Sequence, residues 1–145
     1  MAGPLSDNYD NLKMSHEGFV NICIISSVMI AFIIMFNAPI ISLNQEDNEI
    51  KLIWHNHTNY LGCSFYMCKN ITFVDLSNFN SSYVKTIGAM FSGCSSLIYV
   101  NFTNFDTSNC KNMHWMFNGC SSLFSLDLSN FNTKNVTLIN RMFNG

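Results

Sequence analysis

Charged side chains are scarce in this sequence, and their scarcity limits the partners open to the chain. Of its 145 residues, 11% are Asp, Glu, Lys or Arg, and the formal net charge is −2. Residues 64–145 carry five Lys and Arg against three Asp. So small a positive surplus, spread over so long a segment, is not the basic footprint of a nucleic-acid-binding protein. We therefore expect no nucleic-acid partner.

The combinations of side chains that catalysis requires are also missing. The carboxylates of residues 64–145 are Asp75, Asp106 and Asp127 alone, no Ser or Cys has a His partner at a familiar spacing, and no glycine-rich phosphate loop occurs. Four zinc-capable side chains lie close together in the sequence: His55, His57, Cys63 and Cys68. Their spacing matches no common zinc module. We expect no enzymatic activity, no cofactor and no metal site.

What the sequence does have is a repeat. Three units of 26 residues follow one another without a gap, at 68–93, 94–119 and 120–145. A fixed period in the twenties is typical of a solenoid, in which each unit buries its apolar face against its neighbours. Such scaffolds present surfaces, and the repeat therefore favours a binding or structural role.

Each unit predicts one strand and one short helix. Leu123, Leu126 and Leu128 follow the spacing of a half-buried strand, and the other units repeat the pattern with Ile71, Val74 and Leu76, and with Leu97, Val100 and Phe102. A polar stretch follows, and then apolar residues recur at helix-like spacing, as at Val136, Ile139, Met142 and Phe143. Glycine ends each unit. The predicted fold class is an α/β solenoid.

Stacked units would place equivalent side chains in ladders about 5 Å apart, the distance between hydrogen-bonded strands. Two phenylalanine ladders follow from the period. The first contains Phe79, Phe105 and Phe131, and the second contains Phe65, Phe91, Phe117 and Phe143.

Two runs in these units resemble the BspA-like leucine-rich repeats of microbial surface proteins: MFSGCSSLIYVNFTNFDTSN at 90–109 and MFNGCSSLFSLDLSNFNTKN at 116–135. They share M-F-x-G-C-S-S-L and the N-F that follows the strand, and the second also has L-D-L-S-N-F. The resemblance covers residues 64–145. It implies a short leucine-rich-repeat solenoid on a cell-surface or secreted protein, with a role in adhesion.

A long apolar run lies in the first half. Residues 19–43 contain no charged side chain, and about 20 mostly apolar residues suffice to cross a bilayer. The preceding segment holds Lys13 against three acidic residues, and the run is longer than the apolar core of a signal peptide. A single-pass membrane anchor fits better than a cleaved signal peptide, which remains the alternative. Lys13 before the run and Lys51 after it do not decide its orientation, and the resemblance to surface repeats implies that the repeats are extracellular.

The domain organisation follows from these features. We predict an N-terminal tail at 1–18, a transmembrane signal anchor at 19–43, a linker and N-terminal cap at 44–67, and three repeats at 68–145. The last repeat would expose an apolar end. Either the chain is a fragment of a longer repeat protein, or a partner or a second copy covers that end.

The cysteines allow two interpretations. Cys68, Cys94 and Cys120 recur at the repeat interval and are most simply small buried apolar residues. In an oxidising exterior, Cys63 and Cys68 could instead form a disulfide.

The strand's outward side chains form the candidate binding face, which consists of Phe73, Asp75, Tyr99, Asn101, Ser125 and Asp127. Aromatic and polar residues side by side suit protein recognition, although a three-unit sheet would show these residues without any ligand. The leading hypothesis is a membrane-anchored surface protein that mediates adhesion or binds an unidentified protein ligand or host surface protein. The alternatives are a self-associating structural element and a truncated product.

Overall fold

The computed structural model describes residues 9–15, 40–44, 49–55 and 58–145. Five strands lie in it: β1 Tyr9–Ser15, β2 Ile40–Asn44, β3 Glu49–His55, β4 Phe73–Asp75 and β5 Tyr99–Asn101. They form one sheet in the order β2-β3-β1-β4-β5. The pairs among β1, β2 and β3 and between β1 and β4 are antiparallel, and β4 pairs with β5 in parallel.

The repeat units lie in register. In β4 and β5, Phe73 pairs with Tyr99 and Val74 with Val100, each 26 positions apart. The inward residues are buried, because alternate side chains of a strand point to opposite faces. Val74, Leu76, Leu97 and Val100 are each no more than 1% exposed. The predicted inward face of the strands is therefore confirmed for the first two units.

A second parallel ladder runs through the ends of the units. It joins four segments, which we call the double-turn segments: 60–67, 86–93, 112–119 and 138–145. Parallel bridges connect Tyr60 to Thr86, Thr86 to Asn112 and Asn112 to Leu138. The N–H groups of Ile87, Ala89, Phe91 and Gly93 donate to carbonyls of the next segment at 2.7 to 3.0 Å.

These segments are where we predicted short helices, and residues 58–145 contain no helix. Every second N–H bonds to the neighbouring unit and is therefore not available for an i to i−4 bond. The N–H groups between them close i to i−3 turns, as Met90 to Ile87 does. Two left-handed residues occur in the second segment, Ala89 (φ 54°) and Gly93 (φ 79°). Left-handed residues at this interval are incompatible with a right-handed helix.

Both predicted phenylalanine ladders are present. Neighbouring rings of Phe65, Phe91, Phe117 and Phe143 are 5.2 to 5.6 Å apart and within 7° of parallel. Phe79, Phe105 and Phe131 are spaced at 6.1 and 6.2 Å. Phe102 contacts Phe91 and Phe117 edge-on. Phe102 follows β5 directly, so this contact joins the strand side and the double-turn side in one core.

Polar side chains tie the units together at the surface. The Asn109 amide donates to the carbonyl of Ser82 at 2.8 Å, and the Asn135 amide donates to that of Ser108 at 2.7 Å. Two buried hydroxyl groups also join neighbouring units. The Ser81 hydroxyl accepts a hydrogen bond from the N–H of Asp106, and the Thr107 hydroxyl accepts one from the N–H of Asn132. Each junction between units therefore repeats the same hydrogen bonds.

The stack begins earlier than the boundary that we predicted at Cys68. The carbonyl of Asn59 accepts from the N–H of Lys85, and the N–H of Leu61 donates to the carbonyl of Thr86. Leu61 and Phe65 are fully buried. Residues 59–67 thus form the end of one further unit, and the linker and cap predicted at 44–67 overlap it.

The predicted membrane segment lies outside the described residues as far as Pro39, and Ile40–Asn44 forms β2. No helix of the described part is long and apolar enough to span a membrane. β1 lies between β3 and β4, with Lys13 opposite Asp75. A single crossing within 19–43 would separate β1 from β4, so that crossing and this sheet cannot exist in the same molecule at once.

Candidate binding face

The outward side of β4 and β5 carries a stacked aromatic pair. Phe73 and Tyr99 are 39% and 38% exposed, and their ring centroids are 5.7 Å apart with planes 10° from parallel. Val74 and Val100 hold the two strands against the core on the opposite face. The pair is therefore a rigid apolar platform, since both strands that carry it are fixed by buried neighbours.

The polar row beside this platform has a structural role that the sequence analysis missed. Asp75 Oδ1 accepts from the N–H of Ser77 at 2.9 Å, Asn101 Oδ1 accepts from Thr103 at 3.0 Å, and Asp127 Oδ1 accepts from Ser129 at 2.9 Å. Each side chain closes the turn that follows the strand position. At Asp127, the hydrogen bonds from Ser129 lower the pKa of the carboxyl group. One oxygen of each of these three side chains therefore already accepts a hydrogen bond from the backbone.

The third unit continues the face without a regular strand. Ser125 and Asp127 are exposed, and the N–H of Phe124 donates to the carbonyl of Ile98 at 3.2 Å. That bond keeps the third unit beside the second. The structure therefore brings Phe73 and Tyr99 into contact, and it places Ser125 in the next position of the same row.

Two exposed apolar side chains on this side were not predicted. Ile98 is 49% exposed and Phe124 is 90% exposed. They occupy the position after the first leucine-type residue of each unit, which Thr72 fills in the first. The spacing L-x-x-L contains two outward positions rather than one, and this could have identified them.

Residues 59–145 match the family DUF285, described as Mycoplasma protein of unknown function. The chain belongs to the DUF285 family. No curated protein and no solved structure matches it.

The DUF285 region and the stack begin at the same place. The family match starts at residue 59, and Asn59 makes the first backbone hydrogen bond between units in the part of the chain from residue 58 onward. The interval of 26 from Leu61 to Ile87 and from Phe65 to Phe91 was the available signal.

The DUF285 cysteines at the repeat interval are thiols. Cys63, Cys68, Cys94, Cys110 and Cys120 are all free, so Cys63 and Cys68 form no disulfide. The thiol of Cys94 donates to the carbonyl of Phe65 at 2.9 Å, and that of Cys120 donates to the carbonyl of Phe91 at 3.1 Å. Burial raises the pKa of Cys68 to about 12 and that of Cys120 to about 11. Such thiols are poor nucleophiles and poor metal ligands at neutral pH.

Chemistry-bearing side chains are dispersed across the described DUF285 residues. Among them, no group of three or more His, Cys, Asp or Glu could hold a metal ion. His114 Nδ1 is 2.6 Å from Asn112 Oδ1, within the double-turn ladder. This arrangement can present an aromatic and polar surface, and it offers no acid–base pair.

Proposed function

We propose that this DUF285 chain is a membrane-anchored cell-surface protein whose repeats form a short leucine-rich-repeat solenoid that binds a partner protein without catalysis. The observation that carries the proposal is the stacked, partly exposed pair of Phe73 and Tyr99. Aromatic side chains held rigidly at a surface lose little conformational entropy on binding and are frequent in the centre of protein interfaces.

The surroundings of the pair support a protein ligand. Ser125, Asp127 and Thr103 are exposed and polar, while Ile98 and Phe124 extend the apolar area. An apolar centre with a polar margin is the usual anatomy of a protein interface. The resemblance to BspA-like repeats supports the same class of partner.

The binding test compares two variants of the full chain. Replacing both Phe73 and Tyr99 by Ser should weaken saturable binding of a captured and purified surface protein by at least about tenfold, because each buried aromatic anchor contributes about 1 kcal/mol or more. Tyr83→Ser is the matched control, since Tyr83 is 47% exposed and lies outside the face. The outward side of β4 and β5, with Ser125 and Asp127, is called the strand face below. Equal binding by all three proteins would exclude the strand face as the binding site.

The membrane part of the proposal rests on the uncharged run at 19–43, and it requires that β1 leave its pairing with β4 when that run inserts. Protease added to intact cells should cleave within the repeats and leave the first 18 residues protected. Protection of the repeats in intact cells, together with cleavage after lysis, would place them inside and remove the surface role.

A second candidate is self-association through the last unit. Leu138, Ile139 and Phe143 are 50%, 49% and 60% exposed, and they could pack on another copy. Sedimentation of the detergent-solubilised chain over a range of concentrations separates the candidates. A mass that rises with concentration and falls in Phe143→Ser favours self-association, whereas a constant monomer mass favours the binding role.

A further inference from the structure

The double-turn segments present a second surface. It differs in charge from the strand face, which carries Asp75 and Asp127. The double-turn segments contain no Asp or Glu, and Arg141 lies within the fourth segment. Lys85 and Lys111 immediately precede the second and third segments, and both are exposed. The N–H of Lys111 donates to the carbonyl of Lys85, so the two lysines lie in adjacent units. These segments and the two lysines, which we call the basic face, carry positive charge and contain no Asp or Glu side chain.

Aromatic side chains accompany the positive charges. Tyr60 is 37% exposed, Tyr66 is 44% exposed and Trp115 is 38% exposed. The guanidinium of Arg141 lies over the Trp115 ring, 5.9 Å from its centroid, at the distance of a cation–π contact. Trp115 and Arg141 are both left-handed, with φ of 55° and 54°. Non-glycine residues rarely adopt this conformation.

The basic face and the strand face point away from each other. Phe102, which follows β5, packs edge-on against Phe91 and Phe117 of the double-turn segments. The inward side chains of the two sides thus meet within one core. Their outward side chains, Tyr99 on one side and Trp115 on the other, consequently leave the core in different directions.

We propose that the basic face lies on an anionic phospholipid surface and thereby turns the strand face toward the partner. Lys and Arg are attracted to anionic headgroups, and Trp and Tyr prefer the boundary between headgroups and acyl chains. Because Arg141 lies over Trp115 and both lysines adjoin the double-turn ladder, both contributions act together. The inference rests on the proposed membrane anchoring, since that places the face beside a bilayer.

The chain's length permits this contact. The last residues of the apolar run pair in β2 with β3, and Tyr60 follows His55, the end of β3, by five positions, which span at most about 18 Å when extended. The basic face is therefore tethered near the bilayer. An acidic protein segment would satisfy the charges equally, but it gives no reason for the exposed Trp115, over which Arg141 lies.

The experiment measures contact between Trp115 and lipid directly. The chain has two tryptophans, so the full-length Trp54→Phe variant reports on Trp115 alone. It is reconstituted into phosphatidylcholine vesicles, with or without phosphatidylglycerol, and brominated lipids serve as quenchers. We expect strong quenching in the anionic vesicles and weak quenching in the neutral ones. Salt at about 1 M, where the screening length is about 3 Å, should abolish the difference.

Charge variants locate the contact on the basic face. Lys85→Gln with Lys111→Gln should reduce the affinity of the face for anionic vesicles by about fivefold per lysine. Lys69→Gln with Lys134→Gln removes the same charge elsewhere and should change quenching little. Lys85→Arg with Lys111→Arg should preserve both the affinity for anionic vesicles and the quenching of Trp115.

Three results would overturn the inference. They are equal quenching in neutral and anionic vesicles, no quenching in anionic vesicles, and a Trp115 response to an acidic peptide but not to lipid, which would assign the face to a protein partner. Flotation of the vesicles tests anchoring separately. A chain that fails to float with any vesicle contradicts the proposed anchor, whereas a chain that floats with an unquenched Trp115 contradicts only the orientation.

Discussion

The thiol of Cys94 donates a hydrogen bond to the carbonyl oxygen of Phe65, 29 positions earlier in the chain, at 2.9 Å. The same bond recurs one unit later, between Cys120 and Phe91. A cysteine at this position therefore acts as a buried donor between units. The protonated form is the one that the fold requires.

The first prediction concerns the order in which the thiols react. The pKa of Cys120 is raised to about 11 and that of Cys68 to about 12, both by burial. The thiolate fraction at pH 8 should consequently be about ten times larger at Cys120 than at Cys68. Alkylation of the native chain followed by peptide mass mapping should show Cys120 modified first. In denaturant the two should react alike, and faster modification of Cys68 in the native chain would contradict the assignment.

The second prediction concerns alkaline pH. Because burial raises the folded pKa of Cys68 above its unfolded value of about 8.5, the unfolded state loses its proton first. The stabilisation is complete below about pH 8.5 and is lost as pH rises toward 12, by about 1.4 kcal/mol per pH unit for a fully buried thiol. Urea unfolding of the native chain and Cys68→Ala between pH 8 and 11 should show the shallower decline in the variant. If the free energy of unfolding declined with pH equally in both proteins, Cys68 would not be the source of the pH dependence.

The third prediction compares two members of one phenylalanine ladder. Phe91 is fully buried and stacks on Phe65 and Phe117, whereas Phe143 is 60% exposed. Phe91→Ala should lower the free energy of unfolding by about 3–5 kcal/mol, and Phe143→Ala by about 1 kcal/mol or less. Chemical denaturation measures both. Similar losses would show that the ladder's interior and end are equally packed.

The fourth prediction concerns the left-handed glycine of the third double-turn segment. Gly119 has φ of 74°, and a Cβ placed on it would lie 3.6 Å from Gly93 Cα, an ordinary contact. Gly119→Ala should therefore cost about 1–2 kcal/mol through the backbone alone. Asn tolerates this conformation better, and Gly119→Asn should lose less stability. A greater loss with Asn would point to side-chain crowding instead.

The fifth prediction concerns the side of the membrane on which β1 lies. Lys13 and Asp75 are Cα partners in the pairing of β1 with β4, so cysteines at both positions should form a disulfide before membrane insertion. Insertion of 19–43 as a single crossing would place residue 13 on the opposite side, and the disulfide should be absent from the inserted chain. Non-reducing peptide mapping of both fractions measures this. A disulfide in the inserted chain would exclude the single crossing.

The repeat interval made the ladders predictable, because like residues 26 positions apart must meet when units lie in register. Phe79, Phe105 and Phe131 are the clearest example. The double-turn segments were not predictable in the same way. Ile87, Met90 and Phe91 have the spacing of a helix, but successive turns bury residues at the same spacing.

The polar positions of the strands show a second limit to prediction from the sequence. The outward direction of Asp75, Asn101 and Asp127 follows from strand alternation, but their hydrogen bonds to the backbone two residues later depend on the local turn. The sequence did not predict the basic face, because Trp115 and Arg141 each occur in one unit only. A feature assembled from different residues of successive units leaves no periodic signal.

The amide bonds of Asn109 to Ser82 and of Asn135 to Ser108 have a genetic consequence. These two bonds recur at the same interval at both junctions between the three units, so recombination between two copies of the repeated coding stretch would add or delete one whole coil. The altered product would meet no new kind of junction. A single heritable step of this kind would change the number of coils and leave each remaining coil bonded to its neighbour.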